Sequence, residues 1–213
     1  ELVRHASFLT QLGSEEIAPR LPVLPWTGSA IKKIELPYIV LNPGSNEVGR
    51  RWPLVNYMEL ATYFLESGYT VVFVGKENDL NKKIKTFQTK QAKILNLIGK
   101  TNLVELFDIL NQASLIISND TGPAHVAIGL GRPTIVIVGG GHFGSFVPYP
   151  EYLVSEKVRF LYNIMECYHC FWRCDKRENT LEPFPCVSGV LVEDVKTITN
   201  DILGRKTLSL GSR

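Results

Sequence analysis

Short β-branched apolar runs alternate with stretches of helical period along most of this chain, and that alternation is the strongest constraint on its fold. Strand candidates are residues 38–41, 70–74, 94–97, 115–117, 134–138 and 158–161. Between them, residues 53–67 place Leu54, Tyr57, Met58, Ala61, Phe64 and Leu65 at helical spacing, with Pro53 in the first turn and Gly68 at the stop. Residues 103–112 and 123–130 repeat the pattern, and residues 192–203 read as a final helix. Repeated βαβ units demand a parallel sheet, and strands apolar on both faces demand helices on both sides. The expected fold class is α/β, a doubly wound, parallel, Rossmann-like sheet.

Composition narrows the function classes. The chain has 213 residues, 45% of them hydrophobic, enough for one sizeable core. A net charge of +2, spread along the chain instead of gathered in a block, gives no reason to expect nucleic acid as a partner. It suits a small anionic ligand. No apolar run reaches the roughly 18 residues that span a bilayer, and the first residues carry no signal-peptide core, so a cytoplasmic protein is expected. Those first residues read as the tail of a helix that enters a proline-rich stretch at 18–28. Residues 1–30 are therefore expected to be a helix tail and linker, with chain missing upstream, and residues 31–213 to form the domain.

In a doubly wound sheet, ligands bind beyond the carboxyl ends of the strands. Polar or glycine-rich corners stand there: Asn42-Pro43-Gly44-Ser45, Gly75-Lys76-Glu77-Asn78, Gly99-Lys100-Thr101, Ser118 through Pro123, and Gly139-Gly140-Gly141-His142-Phe143-Gly144. The fourth is the most informative. Pro123 suits a first helical turn, so Thr121 and Gly122 sit where free backbone N–H groups meet the positive end of a helix dipole. Phosphate binds well at such a place, and Gly122 lets it approach the backbone. Asp120 would be repelled by phosphate, so it is assigned either to sugar hydroxyls or to a helix cap. The plain alternative is a cap with no ligand at all.

The other corners are weighed in the same way. Ser45 opens a loop leading to Arg50-Arg51, two guanidinium groups able to neutralise a diphosphate, or else two solvated surface arginines. Glu77 could accept from ribose hydroxyls, or be an idle loop carboxylate. Lys100 and Thr101 could flank a nucleoside, or Thr101 could simply cap the helix near Leu103. His142 is the histidine assigned to a donor sugar or leaving phosphate, whereas His125, early in a helix, reads as packed or capping.

Four cysteines, Cys167, Cys170, Cys174 and Cys186, fall within residues 167–186 at C-x2-C-x3-C-x11-C spacing. Such spacing fits a tetrahedral structural zinc site in a reducing compartment. Three thiols on one helical face, left free, is the competing reading, and disulfides the third.

Taken in order from Tyr38 to Pro150, the P-G-S loop leading to R-R-W-P, the V-V-F-V-G-K-E strand end, G-K-T-N-L-V-E-L, S-N-D-T-G-P-A-H-V-A and G-R-P-T-I-V-I-V-G resemble glycosyltransferase family 9, the heptosyltransferase family of bacterial lipopolysaccharide assembly. The resemblance implies a two-domain GT-B enzyme that moves a sugar from a nucleotide donor to a lipid-linked or glycan acceptor, with inversion and without a catalytic metal ion. This chain resembles the C-terminal, donor-binding half. By position, Thr121 and Gly122 would hold donor phosphates, Asp120 would meet the sugar, and Glu77, Lys100 and Thr101 would surround the nucleoside. Arg50 stands where the family usually has a phosphate-binding Lys. No catalytic residue is expected here, because the family's general base belongs to the N-terminal half. An ADP-heptose-like donor is favoured, with the enzyme cytoplasmic or peripheral at the inner membrane through its acceptor. Some family members have a similar cysteine cluster. Two functions of other classes compete: a non-catalytic nucleotide or nucleotide-sugar binding module, and a zinc-stabilised interaction domain.

Overall fold

The computed structural model describes residues 1–28, 34–77, 80–89 and 91–204. Six strands, β1 (Tyr38–Asn42), β2 (Thr70–Phe73), β3 (Ile94–Asn96), β4 (Leu115–Asn119), β5 (Thr134–Ile137) and β6 (Val158–Leu161), form one sheet in the order β3-β2-β1-β4-β5-β6. Every pairing is parallel. The chain builds outward from β1 in one direction, then restarts at β4 in the other. The switch point between β1 and β4 leaves a crevice at their carboxyl ends, where doubly wound sheets bind ligands.

Why both faces are covered follows from the strands themselves. β1, β2, β4 and β5 are buried along their whole length. Alternate residues serve opposite layers. Ile39, Leu41, Val71, Phe73, Leu115 and Ile117 pack with Tyr57, Leu60 and Phe64 of α2 (Leu54–Glu66) and Val195 of α7 (Val192–Ile202). Val40, Val72, Val74 and Ile116 face Ile109 and Leu110 of α4 (Leu103–Gln112) and Ala127 of α5 (Gly122–Gly129). Each fully buried Leu or Phe in these layers contributes about 1.5–3 kcal/mol. Gly68, at φ 86°, stops α2 in the left-handed conformation that the residue after a helix favours.

Several elements differ from the sequence expectations. Thr101 does not cap α4. Asn102 does, in a reciprocal capping box with Glu105. The helix α3 (Leu80–Gln88) had no counterpart among the expected helices because only Leu80, Ile84 and Phe87 mark its inner face; the rest is polar. Asn78, part of the second corner, lies outside the described residues. The first residues, read as a helix tail, form α1 (Leu2–Gln11), a helix with a single buried residue, Ala6. Further on, Trp26 donates from Nε1 to Asp108 at 2.6 Å and packs on Phe107, while the Leu24 N–H donates to Gly129. That portion lies against α4 and α5. The cysteine-rich segment is not helical before α6 (Pro185–Ser188), so Cys167, Cys170 and Cys174 do not share a helical face.

Candidate functional site

A cavity of about 720 Å³ opens at the carboxyl ends of β1, β2, β4 and β5. Of the residues singled out from the sequence, Ser45, Arg50, Glu77, Asp120, Thr121, Gly122 and His142 line it. Lys100 and Thr101 do not. The Lys100 ammonium turns back to donate to the Asn96 carbonyl at 2.8 Å, closing its own strand end. Asn42, Arg51, Lys76, His125 and Trp172 also reach the cavity.

Its floor is a network of buried amides and hydroxyls at the switch point. Asn119 is fully buried and every part of its carboxamide is used: Nδ2 donates to the carbonyls of Pro43 (2.8 Å) and Gly44 (3.2 Å), and Oδ1 accepts from the Trp52 N–H (3.0 Å) and the Tyr57 hydroxyl (3.1 Å). The loop after β1 is thereby sewn to the end of β4. Burial pushes the Tyr57 hydroxyl above its ordinary pKa, so it remains a proton donor to this network. Asn42 donates to Ser118 Oγ at 2.8 Å and to Thr121 Oγ1 at 2.9 Å, which fixes the first residue of the corner.

Thr121 occupies the N-cap position of α5, yet neither it nor Asp120 caps the helix: no side chain accepts from its first N–H groups. A helix end that is not side-chain capped keeps its partial positive charge for something else. A Cβ added at Gly122 would meet nothing within 4 Å, so the backbone there is open to the cavity.

Asp120 is instead the centre of a charged chain. Arg50 Nη2 donates to both its carbonyl (2.9 Å) and its carboxylate (3.1 Å), and His125 Nε2 lies 3.2 Å from the other carboxylate oxygen. His125 Nδ1 in turn meets the Tyr149 hydroxyl at 2.7 Å, where burial and the Asp120 charge raise the tyrosine pKa. A high tyrosine pKa keeps that hydroxyl protonated beside the imidazole. His125, read as packed or capping, does pack on Tyr149 and also forms part of the cavity wall. Arg51 supports the opposite lip, donating from Nε to the Ser45 carbonyl at 2.9 Å. Glu77 is held by Asn81, which donates to it at 2.5 Å, and lies against Gly99.

The glycine-rich corner has a different explanation from the one its sequence suggested. A Cβ on Gly140 would overlap the Tyr168 ring, and one on Gly141 would overlap the Trp172 indole; Gly139 would press on Trp172 and Val187. These glycines make room for aromatic side chains from the cysteine-rich segment, which also donates backbone N–H groups from His169 to Gly140 and from Phe171 to Gly141. Gly139 and His142 still border the cavity. His142 is ringed by Phe146, Phe171 and Trp172 at edge-on geometry.

All four cysteines are free thiols. With Met165, Tyr168, Trp172 and Phe184 they line a small apolar pocket. Among the described residues no group of three or more His, Cys, Asp or Glu side chains is placed to hold a metal ion, so the expected zinc set is not assembled. Cys186 is buried, its Sγ accepting from the Gly140 N–H at 3.4 Å, and burial raises its thiol pKa, with the neighbouring cysteines adding to the rise. Raised in this way, it stays a thiol through neutral pH and gains reactive thiolate only above the ordinary cysteine range of about 8.5. Alkylation with iodoacetamide at pH 7, followed by mass spectrometry, should label Cys167, Cys170 and Cys174 well before Cys186. Equal labelling rates would contradict this placement.

Residues 14–181 match the model of glycosyltransferase family 9 (heptosyltransferase). The chain belongs to that family. Its matched span reaches back into the stretch read as linker and forward through Trp172. Among curated family members, the lipooligosaccharide heptosyltransferase 2 of Haemophilus influenzae is 33% identical over 111 residues, covering 49% of this chain and 32% of that enzyme. The structure of ADP-heptose LPS heptosyltransferase II of Escherichia coli superposes with a TM-score of 0.65 at 22% identity, covering 89% of this chain and 54% of that one. The iron-containing dodecameric glycosyltransferase TibC of enterotoxigenic Escherichia coli gives a TM-score of 0.60 at 20% identity, over 90% of this chain and 50% of TibC. This family 9 chain thus spans about a third to a half of the proteins it resembles. At these identities the two structures speak for a shared fold. Among the described residues no helix is long and apolar enough to cross a membrane.

Proposed function

We propose that this family 9 chain is the donor-binding half of an inverting glycosyltransferase, and that its cavity holds the nucleotide diphosphate of an ADP-heptose-like donor. The observation that carries the reading is the α5 start at Gly122, a helix N-terminus free of any side-chain cap and open to a cavity that Arg50, Arg51 and Lys76 also line. Helix dipole, free N–H groups and side-chain cations together suit a diphosphate. In this reading transfer needs no metal ion, because the chain's own cations meet the phosphates. Glu77, at the end of β2, accepts from the ribose hydroxyls. Asp120, beside the phosphate end and held by Arg50 and His125, meets the sugar hydroxyls, and His142 faces the donor sugar or the leaving phosphate.

The rest of the enzyme follows from the family. Residues 1–30 join this domain to an N-terminal half that carries the general base and receives a lipid-linked or other glycan acceptor of the lipopolysaccharide type, at the cytoplasmic side of the inner membrane. The heptosyltransferase names of its relatives support heptose as the sugar transferred.

Calorimetric titration with ADP in the absence of magnesium, with UDP and GDP in parallel, tests the reading. ADP is expected to bind selectively. Because a side chain at Gly122 has free space in the unliganded protein, Gly122→Val should fold normally and lose at least about 10-fold in affinity through exclusion of the phosphate. Unaltered ADP affinity in that variant would remove the helix start from the site.

A further inference from the structure

Trp172 reaches the cavity from the cysteine-rich segment, and the donor contacts assigned above make no use of it. Its own backbone (φ 64°) and those of Phe171 (φ 50°) and His169 (φ 68°) lie in the left-handed region. Residues other than glycine hold that conformation only where their surroundings enforce it, and such clusters gather at functional sites. Here the enforcing contacts are explicit. The indole rests on Gly139 and Gly141 and stacks on Phe184 at 5.6 Å with 22° between the planes. The guanidinium of Arg50 lies over the same indole, 4.7 Å from its centroid.

Arg50 needs such support. Its Nη2 is engaged by Asp120, but its Nε is buried without a hydrogen-bond partner. An arginine side chain set free of other restraints loses up to about 2 kcal/mol of rotamer freedom when a ligand freezes it. Held between a carboxylate and an aromatic face, it has lost that freedom before the ligand arrives. A planar guanidinium can stack on the ring and keep its N–H edges available, which an ammonium cannot do.

We propose that Trp172 is a positioning residue of the donor site: it clamps Arg50 against Asp120 so that the guanidinium faces the donor diphosphate, and the cysteine-rich segment thereby sets donor affinity. The inference rests on the reading of the cavity as a nucleotide-diphosphate site. It also accounts for the three adjacent glycines, which let the segment seat its rings deeply enough to touch Arg50.

The test compares the whole protein with Trp172→Ala, Trp172→Phe, Arg50→Ala and the Trp172→Ala/Arg50→Ala double variant, titrated with ADP and with inorganic pyrophosphate. Trp172→Ala is expected to weaken both ligands about 3- to 30-fold. Trp172→Phe, which keeps an aromatic face and guards against simple loosening of the segment, should come back to within about 3-fold. In the Arg50→Ala background the loss of Trp172 should add less than about 2-fold, since the indole acts through the guanidinium. An equal loss in both backgrounds overturns the clamp. A second readout needs no ligand. The Arg50 Nε–H proton resonance, identified by its loss in Arg50→Lys, should carry an upfield ring-current shift that Trp172→Ala abolishes and Trp172→Phe retains. Its absence from the wild type overturns the clamp directly. Its presence in a protein that binds neither ADP nor pyrophosphate overturns the nucleotide reading instead, and reduces Trp172 to a packing contact.

Discussion

Trp52→Ala is expected to remove about 3–5 kcal/mol of stability, out of the roughly 5–15 kcal/mol that such domains possess. The side chain is 1% exposed, and its ring meets Tyr57 edge-on at 5.1 Å. Its Nε1 donates to the Val190 carbonyl at 2.9 Å, which pins the chain just before α7 to the loop after β1. Alanine leaves a cavity and also strands a buried acceptor, and the two penalties act in the same direction. Urea denaturation should register the loss as a lower midpoint, and thermal unfolding should begin about 6–20 °C earlier. Trp52→Phe should recover much of the packing but not the hydrogen bond. A midpoint equal to that of the wild type in Trp52→Ala would show that the loop and α7 are held by other contacts.

Gly141→Val should be nearly as costly, about 3 kcal/mol, and should weaken nucleotide binding as well. Added carbons at this position fall on the Trp172 indole, a rigid ring already braced by Phe184 and by a left-handed backbone. The ring cannot rotate aside without leaving Gly139, Phe184 and Arg50 together. The variant should therefore combine an earlier thermal transition with a loss of ADP affinity similar to that of Trp172→Ala. Gly122→Val provides the contrast: there binding falls while stability holds, because nothing stands in the way of the new side chain. Full stability in Gly141→Val would mean that the cysteine-rich segment packs elsewhere.

The contrast between these two glycines also marks how far the sequence could be read. The sheet was legible because parallel strands buried on both faces leave continuous apolar runs, and because the runs alternate with helical spacing. The strand ends were less so. Asn42, Ser118 and Asn119 read as loop residues, yet they belong to β1 and β4 and are buried. Their polar groups are satisfied across the switch point by partners about 76 residues away, which no local pattern shows. The corner at Gly122 is open backbone, whereas Gly139 to Gly141 carry the same sequence signal for another reason, the rings packed against them. Whether a missing Cβ accommodates a ligand or a tryptophan thirty residues on is a tertiary fact. His125 was undervalued for a similar cause, since its meaning comes from Asp120 and Tyr149 meeting it in space. The cysteine spacing suggests a metal, but spacing does not fix how the four sulfurs meet in space, and among the described residues no group of three or more is placed to hold an ion.

The two walls of the cavity are built on different terms. One side is anchored at Asn119, whose amide ties the loop after β1 and the start of α2 to the end of β4 with donors and acceptors that no isosteric acid could supply together. A change there would disturb both strands that flank the switch point. The other side is built from the cysteine-rich segment, held by ring stacking, backbone contacts to Gly140 and Gly141, and the packing of Trp172 and Phe184 into the core. In the donor site proposed above, substitutions on this second side would change what stands beside Arg50 while the side anchored at Asn119 stays constant, so selectivity and grip would be set by different parts of the chain.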